Sequence, residues 1–287
     1  IEHDSVLETA KDLERRGGEV IYLPVDKKGL IDLKKLEESL NEQTVLVSVM
    51  YANNEIGTIE PLPEISRLVK SFRSENKSIY PLFHTDAAQA FKCLNCGTEK
   101  LGVDLMTLSA HKVYGPKGVG ALFVKEFAKN LLKPILIGTS QEHGLRSGTE
   151  NAAGIAGFGK AVRLVIKNQE AEAQRLKELR DYFWRELKKA YPKVQCNNKL
   201  EISAPHILNA YFPDYPAKDL LIRLDIKGVA VSAGSACAAR SSKPSHVLKA
   251  LEFPLERVMR SLRFSFGKFT TKEEIDEAIR RIAKIVC

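Results

Sequence analysis

"LSAHKVYGPKGVGALFV", residues 108–124, is the stretch on which the reading of the fold turns. An apolar run stops after Leu108 and resumes at "GALFV". Between the halves stand His111, Lys112 and a turn rich in glycine, with Pro116. Apolar runs joined through Gly and Pro read as two strands around a tight turn. A lysine at the mouth of such a turn must face water, pair with an acid, or carry chemistry.

Working outward, strands and helices alternate. "EVIYLPV" (19–25), "TVLVSVMY" (44–51), "YPLFHTD" (80–86) and "VDLMTLS" (103–109) read as strands. "LKKLEESL" (33–40) and "PEISRLVKSFRSEN" (63–76) read as helices between them. The strands are β-branched and apolar on both faces, as in a parallel sheet covered by helices. Alternation of this kind predicts an α/β layered fold.

After residue 150 the texture changes. Residues 151–190 carry a long helical pattern, with Ile155, Phe158, Val162 and Val165 in one stripe and Leu176, Leu179, Phe183 and Leu187 in another. The polar middle, "KNQEAEAQ", places a domain boundary near residue 167. The expectation is a large domain over 1–167 and a smaller C-terminal α+β domain over 168–287. In the latter "HILNAYF", "VAVSAGS" and "SLRFSFG" read as strands, and "AKDLLIRLDI", "SHVLKAL" and "KEEIDEAIRRIAKI" as helices.

The bulk properties exclude several classes. The chain has 287 residues, 44% hydrophobic and 28% charged, with a formal net charge of +8. Its basic residues are mixed with acids, as in "RLKELRDYFWRELKK", rather than gathered in a stripe with interleaved aromatics, so nucleic acid is not an expected partner. No apolar run approaches the ~18 residues that cross a membrane. Five cysteines, an odd number, argue against a secreted disulfide framework and for a reducing, cytoplasmic setting. Cys93 and Cys96 form one CxxC, but no second ligand pair stands at zinc spacing, so no metal is expected.

Four stretches end an apolar run in polar residues: "VSVMYANNEIGT", "LFHTDAAQA", "LMTLSAHKVYGPKG" and "VAVSAGSACAARSS". In open α/β sheets the ligand crevice lies at the carboxyl ends of the strands. Taken singly, Asp86 could cap a helix, Asn53 and Asn54 could make a turn, and Cys237 could be a small buried hydrophobe. Together they suggest one shared site. A phosphate loop of the GxxxxGK[ST] order is absent, and "SAGSAC" has the wrong spacing for a GxSxG elbow. A lysine, an aspartate and a cysteine remain. Pyridoxal 5'-phosphate needs a lysine for its aldehyde and a carboxylate that keeps its ring nitrogen protonated. Lys112 and Asp86 suit these tasks. Gln89 could donate to the ring hydroxyl, and Ser109 and His111 could bind the phosphate.

"HTDAAQ", "SAHKVYGPKG", "RSGTEN", "SAGSAC" and "LRFSFGKFTT" resemble, in order, the signature blocks of the cysteine desulfurases. These are pyridoxal-phosphate enzymes of the aspartate aminotransferase fold (fold type I, aminotransferase class V). The blocks run across essentially the whole chain, and the order around Cys237 resembles class I members. The resemblance implies an activity that converts L-cysteine to L-alanine and passes the sulfur, as a persulfide on Cys237, to acceptor proteins. Such acceptors serve iron–sulfur cluster assembly or tRNA thiolation.

It also implies roles. Lys112 is the Schiff-base lysine and proton carrier. Asp86 binds the pyridine nitrogen and Gln89 the ring oxygen. Ser109 and His111 hold the phosphate. Thr149 reaches the phosphate of the neighbouring subunit in a homodimer. His3, in "IEHDSV", stacks on the cofactor ring. Asn54 and Arg263 bind the substrate carboxylate, a task that suits a guanidinium fork. Cys237 is the nucleophile, in a stretch of small residues able to swing between cofactor and acceptor, and Arg240 could lower its pKa.

The match has departures. Family members carry roughly a hundred further residues before the "EH" segment, including a phosphate-binding helix start, so the expectation is a chain truncated at its N-terminus. Thr139, Ser140 and His143 stand where the family is glycine-rich or has arginine. A selenocysteine lyase and a non-catalytic partner protein stay open as alternatives.

Overall fold

The computed structural model describes residues 1–234 and 244–286. In chain order its elements are α1 (Asp4–Arg15), α2 (Leu33–Ser39), β1 (Leu46–Ser48), α3 (Leu62–Glu75), β2 (Leu82–Asp86), α4 (Thr98–Leu101), β3 (Leu105–Ser109) and β4 (Gly120–Val124). There follow α5 (Ala152–Ala190), β5 (Gln195–Cys196), β6 (Ile207–Tyr211), α6 (Ala217–Ile226), α7 (His246–Ala250), α8 (Leu255–Met259), β7 (Ser261–Ser265) and α9 (Lys272–Val286). Short 3-10 turns, among them Ala110–Val113, fill some of the connections.

Packing divides the chain into two compact units that interleave in sequence. One comprises residues 40–51 and 61–169; the other comprises 1–39, 52–60 and 170–287. One crossing, at 169/170, falls inside α5, within the polar stretch 167–174. The crossings at 39/40, 51/52 and 60/61 have no mark in composition or periodicity.

The first unit holds a four-stranded sheet in the order β1-β2-β3-β4. β1, β2 and β3 run parallel, and β4 turns back antiparallel to β3. The sheet is thus mostly parallel, and Phe83 and Met106 are buried to 2% or less as its helix-covered design requires. The β3–β4 connection is the quoted stretch. Gly115 donates its N–H to Ala110 O at 2.8 Å, and a Cβ there would come within 2.9 Å of that oxygen. Gly118 sits at φ +78°, the left-handed region that glycine enters without steric cost. The first part of α5 covers the turn: Phe158 and Ala161 cluster with Ala110 and Val113.

The second unit holds an antiparallel sheet of order β5-β6-β7. Phe183 of α5 meets Phe264 of β7 at a centroid distance of 4.8 Å. A separate cluster joins Ile56 to Val247, Leu248 and Leu251 of α7 and to Val258 of α8.

Three expected strands differ. "EVIYLPV" forms only an isolated bridge from Val25 to Ile31, and Ile21 and Tyr22 are exposed. Pro24 offers no N–H to a ladder, and apolar content without a neighbouring edge does not make a strand. "VAVSAGS" contributes only the bridge Ser232–Arg263 among the described residues. "TVLVSVMY" forms β1 over Leu46–Ser48, after which Val49 and Tyr51 still donate to His84 O and Asp86 O before the chain turns toward Asn53.

Candidate active site

In the first unit the candidate residues gather at the carboxyl ends of neighbouring parallel strands. Asp86 ends β2, Ser109 ends β3, and Asp86 pairs in register with Thr107. Ala87 N donates to Thr107 O at 3.0 Å, and Tyr51 N donates to Asp86 O at 2.9 Å. The main chain around Asp86 is therefore held from both sides. Its side chain is buried, and Oδ1 accepts from Ala88 N at 2.9 Å. Gln89 follows in the same turn, half-buried.

Beyond Ser109 the chain tightens into the 3-10 turn Ala110–Val113. Ala110 and Val113 point into the core and His111 and Lys112 outward, so the turn anchors itself by its ends and presents its middle. Ser109 Oγ lies 3.1 Å from His111 Nδ1. Desolvation, with Lys112 and Lys117 close by, lowers the pKa of His111. When the serine hydroxyl donates to Nδ1, the neutral ring carries its proton on Nε2, a ready donor. Lys112 is exposed, so the packing of the described residues does not supply the desolvation that imine chemistry asks for.

Thr149 is exposed in the segment before α5. That segment is tied by Ser147 Oγ, which donates to Leu136 O at 3.0 Å, and by Asn151, whose side chain accepts from Gly154 N at 3.0 Å as an N-cap.

One residue of this unit escaped the sequence reading. His84 lies two positions before Asp86, hence on the same face of β2. Its Nδ1 is 2.8 Å from Ser48 Oγ on β1 and its Nε2 is 2.9 Å from Thr107 Oγ1 on β3. The imidazole thus bridges three strands beneath Asp86. Burial lowers its pKa, with Asp86 opposing. The period-2 alternation of "LFHTD" was the available signal.

In the second unit His3 is the N-cap of α1. Its Nδ1 accepts from Ser5 N at 3.1 Å. Asn54 and Arg263 meet directly: Arg263 Nη1 donates to Asn54 O at 2.8 Å, and Asn54 Oδ1 is buried without a hydrogen-bond partner. Arg263 is half-buried on β7. The guanidinium of Arg263 thus lies against the main chain of Asn54, which brings the two residues together within this unit. Cys237 and Arg240 lie outside the described residues.

Among the described residues no group of three or more His, Cys, Asp or Glu is placed to hold an ion, and neither Cys93 nor Cys96 is in a disulfide. Burial pushes the Cys96 thiol up to about 12. No helix among the described residues is long and apolar enough to cross a membrane.

Comparison with known proteins follows the same line. Residues 1–278 match the family Aminotransferase class-V. Cysteine desulfurase IscS of Dictyoglomus turgidum is 44% identical over 286 residues, which cover 100% of this chain and 70% of that protein. Cysteine desulfurase IscS of Clostridium botulinum is 42% identical over 288 residues, again 100% of this chain and 70% of that protein. A solved NifS-like protein superposes with a TM-score of 0.90 at 35% identity, covering 100% of this chain and 73% of its own. The fold is therefore the aspartate-aminotransferase-like α/β fold (fold type I) that the resemblance of the signature blocks implies. The chain belongs to the aminotransferase class-V family and, within it, to the cysteine desulfurases.

Proposed function

We propose that this chain is a pyridoxal-phosphate-dependent cysteine desulfurase of class I. It takes L-cysteine to L-alanine and hands the sulfur on as a persulfide. The observation that carries this reading is the set Asp86, Ser109, His111 and Lys112 at the carboxyl ends of the adjacent parallel strands β2 and β3. The family membership supports it.

The donor set fits the cofactor by its chemistry. Asp86 is a buried carboxylate, the group that holds a protonated ring nitrogen. Gln89 offers an amide to the ring oxygen. Ser109 and His111 offer a hydroxyl and an imidazole to the phosphate, with Thr149 serving the phosphate of a second subunit. Lys112 offers the amine for the aldehyde, and His3 its ring for stacking. When bound, the cofactor supplies an electron sink for the pair released at the substrate's α-carbon.

The chain's own groups do the rest. Asn54 and Arg263 orient the substrate by its carboxylate. Lys112 carries protons to and from the substrate carbon. Cys237 Sγ, as thiolate, attacks the substrate sulfur. The substrate C–S bond breaks as the S–S bond of the persulfide forms, and the carbon skeleton takes up a proton and leaves as L-alanine. An acceptor thiolate then attacks the outer sulfur and regenerates Cys237.

The division of labour is a large cofactor domain, 1–167, and a smaller domain, 168–287, that carries Arg263 and Cys237, although His3 and Asn54 of the former pack in one compact unit with the latter. The active form is a homodimer in the cytoplasm. The exposed apolar run Ile135, Leu136, Ile137, with Ile135 92% exposed, supports a second copy as partner. The sulfur acceptors are proteins such as an iron–sulfur scaffold or a tRNA-thiolation factor.

The test is borohydride trapping of pyridoxal phosphate on the chain, followed by digestion and mass spectrometry. An adduct on Lys112, together with cysteine-dependent sulfide release that Cys237→Ala abolishes without loss of cofactor, is expected. An adduct scattered over surface lysines, or full activity in Cys237→Ala, would overturn the reading.

A further inference from the structure

The residues on either side of the Cys237 segment converge on one carboxylate. Glu55 is 1% exposed. Its Oε2 accepts from Ser245 Oγ at 2.6 Å. On the other side, a Cβ built on Gly234 would stand 3.7 Å from the same oxygen and 3.8 Å from Ser245 Cβ. Gly234 and Ser245 are therefore neighbours across the stem of the segment, with the Glu55 carboxylate against both.

Each end is also fixed to its own element. Ser232 exchanges both backbone hydrogen bonds with Arg263 on β7, at 3.1 and 2.7 Å, and its hydroxyl donates to Gly234 O at 3.1 Å. The hydroxyl of Ser245 donates to Glu55 and accepts from Leu248 N at 3.1 Å, so it caps α7 while holding the carboxylate.

Glu55 is itself held by its neighbours. Asn53 Oδ1 accepts from Glu55 N and Ile56 N at 2.8 and 2.9 Å, closing a turn over 53–57. Asn209 Nδ2 on β6 donates to Glu55 O at 3.1 Å, and Arg263 Nη1 on β7 donates to Asn54 O at 2.8 Å. Ile56 packs with Val247, Leu248 and Leu251 of α7. One turn thus presents Asn54 and grips the stem of the Cys237 segment.

Stability alone does not account for a carboxylate here. Burying one is costly, and an apolar contact could have pinned the stem. A side-chain oxygen gives a short, directional hydrogen bond instead.

We propose that Glu55 is a positioning residue for sulfur transfer: it locks the stem of the Cys237 segment to the turn that carries Asn54, so that the nucleophile is set in register with the bound substrate. This rests on the reading of Cys237 as the sulfur-accepting thiol. Glu55 touches neither substrate nor cofactor in this role; it acts through Ser245 and the stem.

The experiment uses the full chain loaded with pyridoxal phosphate, as wild type and as Glu55→Ala, Glu55→Gln and Ser245→Ala. Two readouts are taken. One is the rate of tryptic cleavage after Arg240, followed by mass spectrometry in cofactor-loaded protein without cysteine. The other is kcat and KM for cysteine-dependent sulfide release, with the visible cofactor absorbance recorded. In Glu55→Ala, cleavage should rise and kcat should fall by roughly tenfold, the worth of one hydrogen bond. KM and absorbance should stay near wild type. Glu55→Gln keeps an acceptor oxygen for Ser245 and should recover most of kcat, which a generally damaged fold would not do.

Should Glu55→Ala lose cofactor or fold, Ser245→Ala carries the test, with the same rise in cleavage and fall in kcat expected. Wild-type values of both readouts in Glu55→Ala, or a KM effect with unchanged kcat, would overturn the proposal. A wild-type chain without cysteine-dependent activity would refute the Cys237 reading on its own; the cleavage readout would still decide whether Glu55 holds the stem.

Discussion

At Asp86 a single strand end supplies both the burial and the pairing that the proposed cofactor carboxylate needs. Its backbone is fixed by Tyr51 and Thr107, so the side chain has little freedom to evade its task. Asp86→Asn keeps the shape and removes the charge. Sulfide release should fall by roughly a hundredfold or more, the scale of a lost proton-handling group, and the absorbance of bound cofactor should shift.

Glu60 makes a different prediction. Burial pushes its carboxyl up to about 8, against the backbone N–H of Ile31, while Oε1 has no hydrogen-bond partner. The folded state therefore holds a proton that the unfolded chain releases near 4.5. Stability falls as pH rises from that value through about 8. Glu60→Gln should raise stability at pH values near the upper end by about 1–3 kcal/mol, the cost of a poorly satisfied buried polar group. The gain should vanish in acid, and denaturant midpoints across pH will show it.

His84 has the opposite sign. Its folded pKa lies below 6.5, so the unfolded state binds the extra proton first, and stability is lost as pH falls below that value. His84→Gln should flatten this acid limb in thermal melts.

At the scale of elements, the 3-10 turn Ala110–Val113 depends on α5. Phe158 is buried against Ala110 and Val113, so it supports the backbone that presents Lys112. Phe158→Ala should cost about 3–5 kcal/mol. It should also weaken cofactor binding, measured by absorbance titration, though the residue is 46 positions from Lys112 in sequence (158 − 112). The α5 stripe Phe158, Val162, Val165 was readable because 3.6-residue periodicity is local. Strand β3 and the turn after it were readable for the same reason. "EVIYLPV" was misread because a strand is stabilised by a paired edge and burial, and neither is encoded in its own residues.

For the whole molecule, the exposed apolar run at Ile135–Ile137 belongs to the proposed dimer. Ile135→Glu with Ile137→Glu should shift the chain from dimer to monomer in sedimentation equilibrium, since charge cannot be desolvated at such a face without a partner. A shift in mass with retained secondary structure would support the assembly; an unchanged dimer would place the interface elsewhere.

By itself the sequence determined the class of fold, the ends of β2 and β3, and the residue types that chemistry requires. Alternation of periods 2 and 3.6 is written in neighbouring residues, and "HTDAAQ" and "SAHKVYGPKG" stand intact in the chain. Only the tertiary structure decided that residues 1–39 and 52–60 pack with the C-terminal part, that His84 bridges Ser48 and Thr107, and that Glu55 reaches Ser245. The last pair is 190 positions apart. Contacts at that separation arise from how elements pack, and a carboxylate in the sequence carries no sign of whether folding will bury it against a distant hydroxyl or leave it in water.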